Sequence, residues 1–79
     1  MNDIRARLTR CFAAVFPQIA ADQLPTLSQD ATPAWDSVAT ATLMVLVEEE
    51  FGITMEAEDL EHLESFNTIY EYLSLRVPS

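Results

Sequence analysis

The chain is 79 residues long, 49% hydrophobic, and sets 13 acids against four bases, all arginine, for a net charge of −9. One small domain, residues 1–79, is what this length allows; a TIM barrel, a doubly wound sheet and two lobes around a cleft are excluded. The apolar content excludes a disordered acidic tail, the single glycine argues against a turn-rich all-β fold, and the charge disfavours nucleic acid and anionic membranes as partners.

The spacing predicts a first helix over residues 3–16. Ile4, Leu8, Cys11, Phe12 and Val15 recur at helical intervals as one apolar stripe. Asn2 or Asp3 can cap its start, and Pro17 stops it by pushing residue 16 out of the α region. Arg5, Arg7 and Arg10 give this stretch the look of a transit peptide. Asp3, and the need for every helix in so small a core, favour a structural helix instead. Cys11 is the only cysteine and lies on the apolar stripe, so it reads as packing. No disulfide, CxxC pair or zinc set can be built from it, which fits a reducing cytosol.

Residues 17–35 hold three of the four prolines and show no helical period. So long an irregular stretch in a compact domain either counts against the element assignment or marks a functional loop. Ile19, Leu24, Leu27 and Trp35 are expected to pin it to the core.

The second helix opens at Asp36, whose carboxylate suits an N-cap, and stops at Gly52. Between them, residues 38–47 hold eight apolar side chains in ten. Glu48, Glu49 and Glu50 oppose the helix dipole at its C-terminal end, an arrangement that asks for an explanation. At ~100° per residue, Leu43, Val47 and Phe51 point one way and Val38, Ala41 and Val45 another. The second stripe is either a contact surface edged by Glu48 and Glu49 or the mark of a helix buried all round. A short helical segment follows over 56–63, with Leu60 and Leu63 inward. Ser65 then caps a last helix carrying Phe66, Ile69, Tyr70 and Leu73 at i, i+3, i+4 and i+7. The expected fold is all-α: a small four-helix bundle of three main helices and one short one, with a long first loop. Apolar runs such as 43–47 are far below the ~20 residues of a membrane span, and no secretory signal is visible.

Ser37 directly follows the cap. A serine there is ordinarily a solvent-facing helix-start residue. Its hydroxyl also stands beside free N–H groups and the positive dipole end, where a phosphate ester is tolerated. The adjoining Asp36 can help hold a divalent metal while such a phosphate is transferred. A hydrolase pairing Ser37 with His62 lacks a Gly-x-Ser-x-Gly elbow. His62 reads as a surface residue. Glu56, Glu58, Asp59, Glu61 and Glu64 contain no calcium-loop spacing and read as a solvated or docking face, with no metal site.

Asp36-Ser37-Val38, followed by Leu43, Leu46 and Glu48-Glu49-Glu50-Phe51-Gly52-Ile53, resembles the Asp-Ser-Leu helix of acyl carrier proteins. Phe66, Ile69, Tyr72 and Leu73 are similar to that family's last helix, and length, acidity and the long first loop are similar too. The resemblance implies a carrier rather than an enzyme. A phosphopantetheinyl transferase would attach 4′-phosphopantetheine from coenzyme A to Ser37, with Asp36 in support. The thiol of that arm would hold acyl or aminoacyl groups as thioesters, in fatty-acid or secondary-metabolite biosynthesis, for loading and transferring enzymes with basic docking patches. By the same resemblance, Val38, Ala41, Val45, Glu48, Glu49, Met55 and Glu56 would dock on those partners, and the protein would be a cytoplasmic monomer. Ala39 and Thr42 stand where fatty-acid carriers commonly place acids, the apolar positions are trimmed to Val38 and Ala41, and Trp35 replaces a Gly-rich lead-in. These departures imply a dedicated carrier for a specialised group. The alternative, from another class, is a small acidic helical adaptor that binds a basic partner protein and carries no prosthetic group.

Overall fold

The computed structural model describes residues 4–77, and the backbone alone of Ala57. Among these residues the chain forms four helices: α1 (Ile4–Val15), α2 (Ser37–Phe51), α3 (Ala57–Leu60) and α4 (Phe66–Arg76). This is the all-α arrangement that the spacing predicts, within an envelope of 31 × 29 × 18 Å.

α1 buries Ile4, Leu8, Cys11 and Phe12. Phe16 closes its last turn, donating its N–H to the Phe12 carbonyl at 2.8 Å, before Pro17 ends it. The expected caps Asn2 and Asp3 lie outside the described residues.

The long loop is more ordered than its lack of period suggests. Successive turns run through it, and residues Leu24–Thr26 form one turn of 3₁₀ helix. Leu24 and Trp35 are buried, and Ile19 and Leu27 pack partly against the core. An isolated antiparallel bridge joins Ser28 to Ser65. The Gln29 N–H donates to the Glu64 carbonyl at 2.7 Å, and the Phe66 N–H to the Leu27 carbonyl at 3.0 Å. This clamp fastens the loop to the start of α4.

α2 ends at Gly52, the one described residue at positive φ (67°), whose N–H donates to the Glu48 carbonyl at 2.9 Å. An L side chain there costs about 1 kcal/mol in backbone strain. α4 begins with a reciprocal cap. Ser65 Oγ accepts from the Thr68 N–H at 3.1 Å, and Thr68 Oγ1 accepts from the Ser65 N–H at 3.0 Å. At the centre of the core, the Phe12 ring lies 5.4 Å from Trp35, edge-on, and 5.0 Å from Phe66.

α3 spans four residues, shorter than the expected 56–63. Leu63 is buried and Leu60 partly so, as expected. Asp59 departs from the expected solvated face. Its Oδ2 accepts the Tyr72 hydroxyl at 3.0 Å and lies 4.0 Å from Arg76 Nη2. The Arg76 guanidinium stacks 4.2 Å over the Tyr72 ring, so α3 is tied to α4 through Asp59.

Candidate functional site at the start of α2

Trp35 is the foundation of the site. Its ring is 2% exposed, wedged edge-on to Phe12 and 5.9 Å from Phe16. Its Nε1–H donates to Thr40 Oγ1 at 2.9 Å. The Thr40 hydroxyl in turn donates to the Asp36 carbonyl at 3.0 Å, the same oxygen that accepts the Thr40 N–H at 2.9 Å. Asp36 is extended, and its Oδ1 accepts the Ala39 N–H at 2.8 Å. The first turn of α2 is thus fastened at both the carboxylate and the carbonyl of its cap.

Ser37, the first helical residue, is exposed. Thr40 makes the first intrahelical bond and Ala39 is taken by the cap, so the N–H groups of Ser37 and Val38 are the ones left for an outside acceptor. An exposed primary hydroxyl beside two such donors, at the positive end of a 15-residue helix, suits an anionic ester.

The second stripe faces solvent. Val38 is 72% and Val45 52% exposed, with Ala41 and Thr42 exposed beside them. A helix buried all round is therefore excluded. Ala39 packs partly against the core.

Two of the three glutamates at the end of α2, Glu48 and Glu50, have partners within the chain. Glu48 Oε2 accepts the Met55 N–H at 2.7 Å. Glu50 Oε2 lies 2.8 Å from Arg7 Nε and 3.9 Å from Arg10 Nη2. Arg7 Nη2 also donates to the Glu50 carbonyl, and the guanidinium sits 4.4 Å over the Phe51 ring. A cation from α1 therefore answers the negative end of the α2 dipole. The Arg7 hydrogen bond holds the Glu50 carboxyl below its usual pKa. Of the three glutamates only Glu49 is exposed.

Met55 corrects an expectation. Its side chain is 8% exposed and belongs to the core, so it offers no docking surface. An apolar residue just past Gly52 and Ile53 fits a core as well as a contact, and sequence alone did not separate the two. Glu56 is exposed, as is His62 on the turn after α3. A shallow cleft of about 270 Å³ between α1 and α2 is lined by Arg10, Cys11, Ala14, Leu46, Glu49 and Glu50. Burial, the largest influence, pushes the Cys11 thiol up to about 11. Among the described residues no three His, Cys, Asp or Glu side chains converge as a metal site, and no helix is long and apolar enough to cross a membrane.

The structure thus brings Asp36, Ser37, Val38, Ala41, Val45 and Glu49 onto the exposed part of α2. Thr40 was not foreseen as part of the site. Its spacing, four residues after the capping aspartate and five after a tryptophan, is the signal that could have found it. No family model matches the chain, and neither does any characterised protein or solved structure.

Proposed function

We propose that this protein is a carrier of the acyl carrier type, armed at Ser37 with 4′-phosphopantetheine. One observation carries the reading: an exposed serine hydroxyl on the first residue of a capped helix, next to an exposed apolar strip. The residues fit the group. Ser37 would offer the oxygen for the ester, and the N–H groups of Ser37 and Val38, which have no intrahelical acceptor, would be donors for the phosphate. In the transfer, the Ser37 oxygen forms the new O–P bond while the pyrophosphate bond of coenzyme A breaks. Adenosine 3′,5′-bisphosphate leaves, and the hydroxyl proton passes to a base on the transferase. The attached arm supplies a thiol that holds acyl or aminoacyl groups as thioesters.

On this reading the protein is a non-enzymatic, cytoplasmic monomer. Its docking surface is Val38, Ala41 and Val45, with acids at Asp36, Glu49 and Glu56 and a lesser share from Glu48. The adaptor reading draws on the same exposed Val38 and Val45. Intact-protein mass separates the two, after incubation with coenzyme A, Mg²⁺ and a broad-specificity phosphopantetheinyl transferase. The carrier reading expects wild type to gain one phosphopantetheine and Ser37→Ala none. A wild type that stays at its starting mass leaves the adaptor.

A further inference from the structure

We propose that Trp35 is a positioning residue for the arming of Ser37, acting through Thr40. The inference rests on the reading of Ser37 as the attachment site. Core packing alone explains the Trp35 ring, which Phe12 and Phe16 enclose. It does not require the indole N–H. That group is aimed at Thr40 Oγ1, and Thr40 passes the contact on to the Asp36 carbonyl. The chain Trp35–Thr40–Asp36 is a strut from the aromatic core to the residue before Ser37.

The strut matters because a helix is least secure at its first turn, where N–H groups lack intrahelical acceptors. The Asp36 carboxylate holds that turn on one side, through Ala39. The strut holds it on the other, at the carbonyl. With the strut cut, the first turn spends part of its time frayed, and Ser37 then no longer projects from a formed helix beside Val38. A transferase that recognises the formed turn sees a lower concentration of competent protein. Its apparent KM rises by the inverse of the competent fraction, while the chemistry on each bound molecule is unchanged.

Two variants cut the strut at different ends, and one restores it. Trp35→Phe keeps a ring in the core and removes the donor. Thr40→Val is isosteric and removes the relay. Thr40→Ser keeps the hydroxyl. Steady-state arming by the transferase with coenzyme A and Mg²⁺ is measured below the melting transition of every variant. Amide hydrogen exchange at Ala39 and Thr40 is measured against Val47 in the middle of α2. The expected result is a KM for the protein raised about three- to tenfold in Trp35→Phe and Thr40→Val, with kcat within about twofold of wild type. Ala39 and Thr40 exchange faster relative to Val47 in both, Thr40→Ser behaves as wild type, and the double variant loses no more than either single one. A purely structural role for Trp35 would lower the melting temperature and leave both KM and the exchange ratio where they were. That result overturns the proposal, as does a Thr40→Ser as impaired as Thr40→Val. Should Trp35→Phe fail to fold, Thr40→Val decides. A wild type that gains no mass rejects the attachment reading and this proposal with it, whatever the exchange ratio shows.

Discussion

Arg7 and Glu50 stand 43 residues apart in the chain and 2.8 Å apart in the fold. Through this contact α1 closes the far end of α2: one guanidinium meets the Glu50 carboxylate, the Glu50 carbonyl and the face of Phe51. Three glutamates in a row at a helix C-terminus look like a sacrifice of stability. Glu50 is answered by Arg7, and Glu48 by the Met55 N–H. Of the three, Glu49 is the exposed one.

Removing Arg7 should therefore loosen the α1–α2 contact. Arg7→Ala is expected to lower stability by about 0.5–1 kcal/mol from the lost stack on Phe51 alone. The pair also carries a pH signature. The folded-state pKa of Glu50 is lowered, so its contribution is fully present above the unfolded value and is lost as pH falls through the folded one. Urea midpoints of wild type should thus decline from about pH 4.5 downward, and Glu50→Gln should lack that part of the decline. Parallel curves for the two proteins would contradict the assignment.

Cap and hydroxyl should separate cleanly at the start of α2. Asp36→Ala removes the acceptor for the Ala39 N–H and is expected to cost about 1 kcal/mol. Asp36→Asn retains an acceptor and should cost much less. Ser37→Ala removes an exposed hydroxyl and should stay within about 0.5 kcal/mol of wild type. Thermal melts of the three variants provide the check.

Cys11 should be silent in the native protein. Its side chain is 6% exposed and its thiol is pushed up to about 11, so almost no thiolate is present at pH 8. Ellman's reagent is expected to detect no thiol in the folded unarmed protein and one in guanidinium. On the carrier reading, the armed protein gains one fast-reacting thiol. Rapid native labelling of the unarmed chain would place Cys11 outside the core.

Ala39 and Thr42 on α2 should respond differently to acids. Thr42 is exposed, whereas Ala39 packs partly against the core. On the carrier reading, Thr42→Glu is expected to improve turnover of the armed protein by a general ketoacyl synthase at low salt, by about 0.2–1 kcal/mol for one exposed pair. Ala39→Asp should add little, because its carboxylate stays partly shielded. The comparison uses the same acyl chain on each variant and on the enzyme's own carrier. Wild type working as well as that carrier would end the idea of a specialised one.

Periodicity made the three main helices legible, since each buries one stripe: Leu8 and Phe12, Leu43 and Val47, Ile69 and Leu73. Local chemistry made the ends legible, through Asp36, Gly52 and Ser65. What escaped was long-range. The Ser28–Ser65 bridge joins backbone groups that carry no side-chain signature. The roles of Glu48, Glu50 and Asp59 depend on which helix lies opposite, which helical spacing does not encode. Met55 was misplaced for the same reason: an apolar residue in a connecting segment has no period to say which way it faces. Within the candidate site, Asp36 and Ser37 were legible and the Trp35–Thr40 contact was not.

The aromatic contacts around Phe12 bear on the order of events in the cell. Phe12 touches Trp35 on one side and Phe66 on the other, so the residue two places before Ser37 takes its position from α1 and, through Phe12, from α4. α4 follows α1 and α2 in the chain and so leaves the ribosome after them. A nascent chain whose synthesis has just passed Ser37 has Phe12 and Phe16 but still lacks Phe66, which backs Phe12, and lacks the clamp at Ser65 as well. On the carrier reading, arming then waits until α4 has been made and packed, and the attached arm marks a folded domain. A chain cut before Ser65 should remain unmodified in the incubation that converts residues 1–79.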